Sequence, residues 1–261
     1  MNLIVVIPAF NEARAIGRVI GDLPAGWADE VVVVNNASTD ETEANARAAG
    51  ATVLREPRRG YGRACLAGIA HANARFAAWG APGVIVFLDG DYSDHPDELP
   101  RVAGPVVRGE ADFVVGSRMR GAREPGAMLP QALVGNRLAC ALMRWRWGAS
   151  WTDLGPFRAI RSDALARLAM ADETFGWTIE MQIKAVARGL RCAEVPVSYR
   201  RRVGVSKITG TVSGTARASA KILWTIGRFA FTSPAGSLGH RLAAGRAEGG
   251  AKPAPGPASP N

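Results

Sequence analysis

The chain has 261 residues, 48% apolar and 21% charged, enough to build a full core and inconsistent with a disordered, collagen-like or coiled-coil protein. Its three cysteines (Cys65, Cys140 and Cys192) are widely spaced and outside any CxxC pair, which argues against a disulfide scaffold or zinc site and for a reducing compartment. The formal net charge is +9, and it is unevenly spread.

From the N-terminus, residues 3–7 are a continuous apolar, β-branched run that predicts a buried strand. Residues 12–23 place Ile16, Val19, Ile20 and Leu23 at helical spacing. Residues 30–34 predict a second buried strand, and a polar turn follows at 35–40. There Ser38 and Glu41 fit a capping box that opens a helix running to Gly50. A third strand at 52–54, a helix from Gly62 to about Trp79, a fourth strand at 84–88, a helix at 97–107 and a fifth strand at 112–115 complete the first half. Such alternation predicts an α/β fold with a mostly parallel sheet covered by helices on both faces.

The second half reads as helices at 131–147, 163–170 and 177–188 and a strand at 191–199. A helix at 211–231 follows, which carries Trp224, Phe229 and Phe231 among Arg217, Lys221 and Arg228. Nine of the 32 Lys and Arg lie between residues 195 and 247, where there is no Asp or Glu, and the 23 basic residues elsewhere equal the 23 acidic ones. The whole positive surplus therefore sits in the last quarter, a field suited to phosphate, nucleic acid or anionic lipid. From Ser233 onward Gly, Ala, Pro and Ser dominate, so a single domain over 1–232 with a disordered tail over 233–261 is expected. The N-terminus lacks a signal-peptide pattern and no run approaches about 18 apolar residues. The expected location is the cytoplasm, free or at the surface of a membrane.

In open α/β sheets ligands bind beyond the carboxyl ends of the strands. The first strand ends in Pro8-Ala9-Phe10-Asn11-Glu12, the second in Asn35-Asn36-Ala37-Ser38 and the fourth in Asp89-Gly90-Asp91, which describes one site. Asp89 and Asp91, on a turn expected to be exposed, can converge on one hard cation, Mg²⁺ or Mn²⁺, with Gly90 leaving room for a phosphate. Arg59-Gly60-Tyr61-Gly62-Arg63 with Gly68 lacks dinucleotide-fingerprint spacing and follows the third strand. It is expected instead to carry Arg63 toward a nucleotide. The loop from Arg200 through Arg202 to Ser206 and Lys207 is dense enough in cations to clamp a pyrophosphate or a phosphorylated acceptor. Trp145, Trp147, Trp151 and Trp177 read as core.

Together with Gly116-Ser117-Arg118, Gly204-Val205-Ser206-Lys207, Thr152-Asp153-Leu154-Gly155-Pro156-Phe157-Arg158 and Trp177-Thr178-Ile179-Glu180-Met181, these stretches resemble the family 2 glycosyltransferases of GT-A (Rossmann-like) fold. The subgroup they resemble most is the polyprenyl (dolichyl) phosphate mannose and glucose synthases, and the resemblance runs in order over about residues 2–231. It implies a metal-dependent, inverting transfer from a nucleoside-diphosphate hexose to a polyprenyl phosphate or another acceptor. Pro8, Ala9, Asn11 and Glu12 would line the nucleotide pocket, and Asn36 would face the base. Asp89 and Asp91 would hold the metal, and Arg118, Arg202, Ser206 and Lys207 would meet phosphates. For a hydroxyl acceptor, Asp153 is the candidate proton acceptor. Asn35-Asn36 stands where the family has an Asp pair, and the turn Tyr92-Ser93-Asp94-His95-Pro96 is one residue longer than the common pattern, which leaves the third metal ligand open. A sugar nucleotidyltransferase would carry a glycine-rich basic loop after the first strand, where Ala9-Phe10-Asn11-Glu12 stands instead. A membrane- or nucleic-acid-binding module would explain the basic segment but not the strand-end clusters. An anionic membrane surface fits that segment as a partner, and nucleic acid is not expected.

Overall fold

The computed structural model describes residues 2–204, 212–232 and 243–244. Strands β1 (Asn2–Ala9), β2 (Glu30–Asn35), β3 (Thr52–Arg55) and β4 (Gly83–Phe87) are parallel in the order β3-β2-β1-β4. Helices α1 (Ile16–Gly21), α2 (Thr42–Ala48) and α3 (Tyr61–Ala78) make the crossovers between them. Beyond β4 the sheet continues through β6 (Arg158–Arg161), β5 (Phe113–Ser117) and β7 (Cys192–Pro196) to the two-residue β8 (Ala243–Ala244). Only β6 among these is antiparallel to its neighbours, wedged between β4 and β5. It escapes a sequence reading because four residues that begin and end on Arg carry no apolar period.

The apolar runs are continuous because both faces of the sheet are covered. On β1, Ile4 and Val6 face a core shared with α3, α5 (Pro130–Trp147), α6 (Ser162–Leu168) and α7 (Trp177–Ala187). The alternate residues Leu3, Val5 and Ile7 face a second core with α1 and α4 (Leu99–Val107). Trp147, Trp151 and Trp177 are buried as expected, whereas Trp145 is exposed on α5. Gly148, at φ +68°, ends α5 in the left-handed conformation that lets the last turn close.

Helix α8 (Val212–Thr232) packs against α5 and α7. Arg146 of α5 donates to the Ala230 carbonyl at 2.8 Å, which places the C-terminal ends of the two helices together. Lys221 pairs with Asp172 at 2.9 Å. No helix among the described residues is long and apolar enough to cross a membrane. Within the segment 233–261, Ala243–Ala244 pairs with β7, and the remainder lies outside the described residues.

Candidate active site

Three loops build the site, one each from the carboxyl ends of the adjacent strands β2, β1 and β4. Each contains a non-glycine residue at positive φ: Asn11 at +53°, Ala37 at +59° and Tyr92 at +64°. Such conformations are costly and persist where neighbouring contacts hold them. The contacts are present. Asn11 N–H donates to Ser38 Oγ at 3.0 Å, Thr39 N–H donates to Asn11 Oδ1 at 2.8 Å, and Glu12 N–H donates to Thr42 Oγ1 at 2.8 Å. Ser38 therefore ties the β1 loop to the β2 loop and does not cap α2 as expected. The helix starts instead at Thr42, whose N–H donates to Asp40 at 3.0 Å. Asn36 donates to the carbonyls of Glu56 and Arg58 and accepts from Gly60 N–H at 2.8 Å. Its amide shapes the 56–60 turn, where Arg59 stacks 3.6 Å from the Phe10 ring centroid.

Asp91 is buried, contrary to the exposed turn expected, because its oxygens are taken from several sides. Oδ1 accepts from Ser93 N–H at 2.9 Å and from the Ser93 hydroxyl at 2.5 Å, while Arg202 Nη1 lies 3.0 Å from Oδ2. Asp89 accepts from the Tyr61 hydroxyl at 3.0 Å. Burial first, and then the Asp91 charge, push the Asp89 carboxyl up to about 6. Asp94, three residues on, is also buried, and neither of its oxygens has a hydrogen-bond partner. Buried orphaned carboxylate oxygens are rare in stable folds and call for an explanation. A hard divalent cation fits these donors, since Mg²⁺ and Mn²⁺ favour carboxylate oxygen. No group of three or more carboxylate, histidine or cysteine side chains arranged to hold a cation occurs among the described residues. A cation here would complete its shell with phosphate oxygens and water, as Mg²⁺ commonly does.

Arg118, on the turn after β5, lies beside these loops. Its guanidinium makes a bidentate pair with Asp153, Nε to Oδ2 at 2.8 Å and Nη2 to Oδ1 at 2.7 Å, and its own N–H adds a third bond at 2.8 Å. Asp153, the expected proton acceptor, is fully buried, and both of its oxygens accept hydrogen bonds from Arg118. These bonds fix the orientation of the Arg118 guanidinium. Asp153 is itself fixed from below by Glu194, which accepts from its N–H at 3.1 Å and from the Thr152 hydroxyl at 2.9 Å. Arg158, fully buried on β6, donates to the Thr178 and Gly155 carbonyls. Burial pulls its guanidinium down to about 10, still a cation at neutral pH and beneath the carboxylate cluster.

The glycine-rich turn does a different job from the one expected. A Cβ at Gly60 or Gly62 would overlap the carbonyl oxygen of Glu173 or Asp172, and one at Gly68 would overlap the Val6 side chain. These glycines let α3 pack closely on β1 and let the 172–175 loop cross its first turn. Arg63 pairs with Glu173 and so fastens that loop. The result is a cavity of about 300 Å³. Pro8, Ala9 and Glu12 line one wall, Asn36 and Arg59 a second, and Asp89, Gly90, Asp91 and Arg202 the floor, while Thr174 and Phe175 of the 172–175 loop close the side. Of the expected residues, Asn11, Ser38, Arg63, Arg118 and Asp153 stand behind or beside this lining, and Ser206 and Lys207 lie outside the described residues. Sequence reasoning missed Tyr61, Phe10 with Arg59, and the 172–175 loop. The available signal was an aromatic residue between the paired glycines.

Residues 4–168 match the sequence model of "Glycosyl transferase family 2". An uncharacterized glycosyltransferase of Mycobacterium tuberculosis is 34% identical over 216 residues, 81% of this chain and 91% of that protein. The undecaprenyl-phosphate mannosyltransferase of Micrococcus luteus is 31% identical over 235 residues, 83% of this chain and 91% of the other. The dolichyl-phosphate hexose transferase of Haloferax volcanii is 32% identical over 218 residues, 82% and 90% of the respective chains. Among solved structures, glucosyl-3-phosphoglycerate synthase of M. tuberculosis with Mn²⁺, uridine diphosphate and glucosyl-3-phosphoglycerate superposes with a TM-score of 0.66 at 26% identity, over 87% of this chain and 80% of that one. Strand-end carboxylates, a mostly parallel sheet and these likenesses agree, and the chain belongs to glycosyl transferase family 2 as a GT-A glycosyltransferase.

Proposed function

We propose that this glycosyltransferase moves a hexose, with inversion, from a UDP- or GDP-hexose to a polyprenyl phosphate at the cytoplasmic face of a membrane. The observation that carries the reading is the pair of the half-buried Asp89 and the buried Asp91, with Arg202 on Asp91, on the floor of a cavity of about 300 Å³, with the buried, unpartnered Asp94 three residues on. Pro8, Ala9, Glu12 and Gly90 face the nucleoside diphosphate. Asn11, Asn36 and Ser38 hold the walls in place, and Arg63 secures the adjoining loop. Asp89 and Asp91 would hold Mg²⁺ or Mn²⁺, which offsets the charge of the donor diphosphate. The neighbour with uridine diphosphate and Mn²⁺ supports this part of the reading.

In the reaction an oxygen of the acceptor phosphate attacks the anomeric carbon from the face opposite the diphosphate. The new C–O bond forms as the bond to the diphosphate breaks, and the nucleoside diphosphate leaves with the electron pair. Arg202, Arg118 and Lys207 present cations to the phosphates, and such preorganised charge stabilises the departing diphosphate. A phosphate acceptor is already anionic at neutral pH and needs no general base, which accords with an Asp153 locked to Arg118. Lipid phosphate is favoured by the two relatives above 30% identity whose names carry undecaprenyl or dolichyl phosphate.

A soluble phosphorylated acceptor is the second reading, favoured by the neighbour with glucosyl-3-phosphoglycerate. Incubation with labelled UDP- or GDP-hexose, Mn²⁺ and either a short-chain polyprenyl phosphate or 3-phosphoglycerate separates them. Label passing to the organic phase only with the lipid is expected. Label passing to 3-phosphoglycerate alone would replace the lipid reading.

A further inference from the structure

Helices α5 and α8 lie side by side, and each presents an apolar stripe that the described residues leave open. On α5, Val134, Leu138 and Trp145 recur at helical spacing along one stripe and are 64%, 47% and 82% exposed. On α8, Trp224 and Phe231 are 54% and 93% exposed, and Leu223 is exposed beside them. Soluble monomers rarely leave such a run of large apolar side chains in contact with water. The charged residues of both helices are of one sign: α5 carries Arg137, Arg144 and Arg146, α8 carries Arg217, Lys221 and Arg228, and neither contains Asp or Glu. Arg137 and Arg144 are exposed beside the stripe, and the Arg228 guanidinium lies 5.5 Å from the Trp224 ring centroid.

Apolar side chains in a stripe, aromatic residues at its end and cations along its border are what an interfacial helix pair needs. The single sign of charge selects the occupant. Two copies of this face would bring like charges together, whereas an anionic leaflet complements them. The face also adjoins the cavity. Lys221 of α8 pairs with Asp172, two and three residues before Thr174 and Phe175, which line the cavity wall. We infer that the joint α5–α8 face, and not α8 alone, seats the enzyme on an anionic bilayer leaflet, with the cavity wall formed by the 172–175 loop next to the headgroups. The inference rests on the reading of the acceptor as a lipid phosphate, and the test keeps the two apart.

The full-length protein is co-sedimented with phosphatidylglycerol–phosphatidylcholine vesicles and with pure phosphatidylcholine vesicles at low and high salt. Binding to the anionic vesicles that weakens with salt is expected. The double variants L138E/W145E on α5 and W224E/F231E on α8 are each expected to bind about tenfold more weakly or worse. The control R18E, on α1 across the sheet, removes the same net charge as L138E/W145E and should change binding by less than about threefold. Melting curves check that each variant is folded, and the single W145S change serves if a double variant is not.

An α5 variant that binds like the wild type overturns the inference, as does a wild type that stays in the supernatant with anionic vesicles at low salt. Equal losses in R18E and the α5 variant would mean that only bulk charge acts. A concentration-dependent dimer seen by light scattering without vesicles, and abolished by the same variants, would make the face a subunit contact and overturn it too. Transfer to a short-chain polyprenyl phosphate in vesicle-free solution is measured in parallel. Its failure with vesicle binding intact strikes the acceptor reading and leaves the surface standing.

Discussion

Replacing Asp153 by Asn separates the positioning role from that of a proton acceptor. Asp153 has no solvent exposure, and its two oxygens accept three bonds from Arg118 at 2.7–2.8 Å. The amide of Asn would turn an NH₂ group toward one of these donors and leave a guanidinium uncompensated, with only 12% of that side chain exposed. Removing one partner of a buried pair costs about 3–5 kcal/mol. At roughly 2–4 °C per kcal/mol for a chain of this size, Tm should fall by on the order of 10 °C. Transfer at a permissive temperature should fall as well, because Arg118, proposed to meet the phosphates, loses the partner that orients it. R118M/D153L should recover most of the stability, since apolar replacement of a buried pair is often neutral, yet leave transfer low. Calorimetry together with the labelled-hexose assay reads both. A D153N protein with the wild-type Tm and a transfer rate lower by about 10²–10⁴-fold would refute the reasoning and return Asp153 to proton transfer.

The other expectations follow from the same geometry. D94N removes a buried, unpartnered carboxylate beside Asp89 and Asp91, so without metal its Tm should rise, whereas the Mn²⁺-induced rise in Tm should shrink; unchanged melting in both conditions would contradict the cation reading. R202A loses a charge-assisted contact worth about 1.5–3 kcal/mol, so kcat/KM should drop roughly ten- to a hundredfold, whereas R241A and R246A should stay near wild type, and equal effects would mean that only net charge matters. Hydrogen bonding from Arg191 holds the Asp112 carboxyl below its ordinary range. The stability it contributes is therefore present above about pH 4 and lost as pH falls through the lowered folded value; D112N should melt earlier than wild type at pH 7, and the gap should close in acid.

The alternation of apolar runs and amphipathic stretches made β1 to β5, α1 to α5 and the strand-end location of the site legible, because burial of both sheet faces writes itself into the sequence as continuous β-branched runs. Residues whose chemistry is local, such as Asp89, Asp91 and Glu12, were found by type and position, and all three line the cavity. What sequence could not convey is how far each polar side chain is consumed by its neighbours. Asn36, Ser38, Arg63 and Asp153 have the composition of ligand contacts, yet each also bonds to its own fold, in turn to the 56–60 turn, the β1 loop, Glu173 and Arg118. Close backbone approach is equally silent, and Gly60 and Gly62 gave no sign that the 172–175 loop crosses above them. The short antiparallel β6 went unseen because two of its four residues are Arg, one of them the buried Arg158.

The central claim is that the carboxylates at the end of β4 hold a divalent cation on a nucleoside diphosphate inside the cavity. Isothermal titration of UDP and GDP into the full-length protein, with Mn²⁺ or with EDTA, in wild type and in D91N, tests it directly. One of the two nucleotides should bind wild type at least about tenfold more tightly with Mn²⁺ than with EDTA, a gain of about 1.4 kcal/mol or more, and D91N should lose that gain while keeping its fold. Equal affinity with Mn²⁺ and EDTA, or a gain that survives in D91N, would contradict the account.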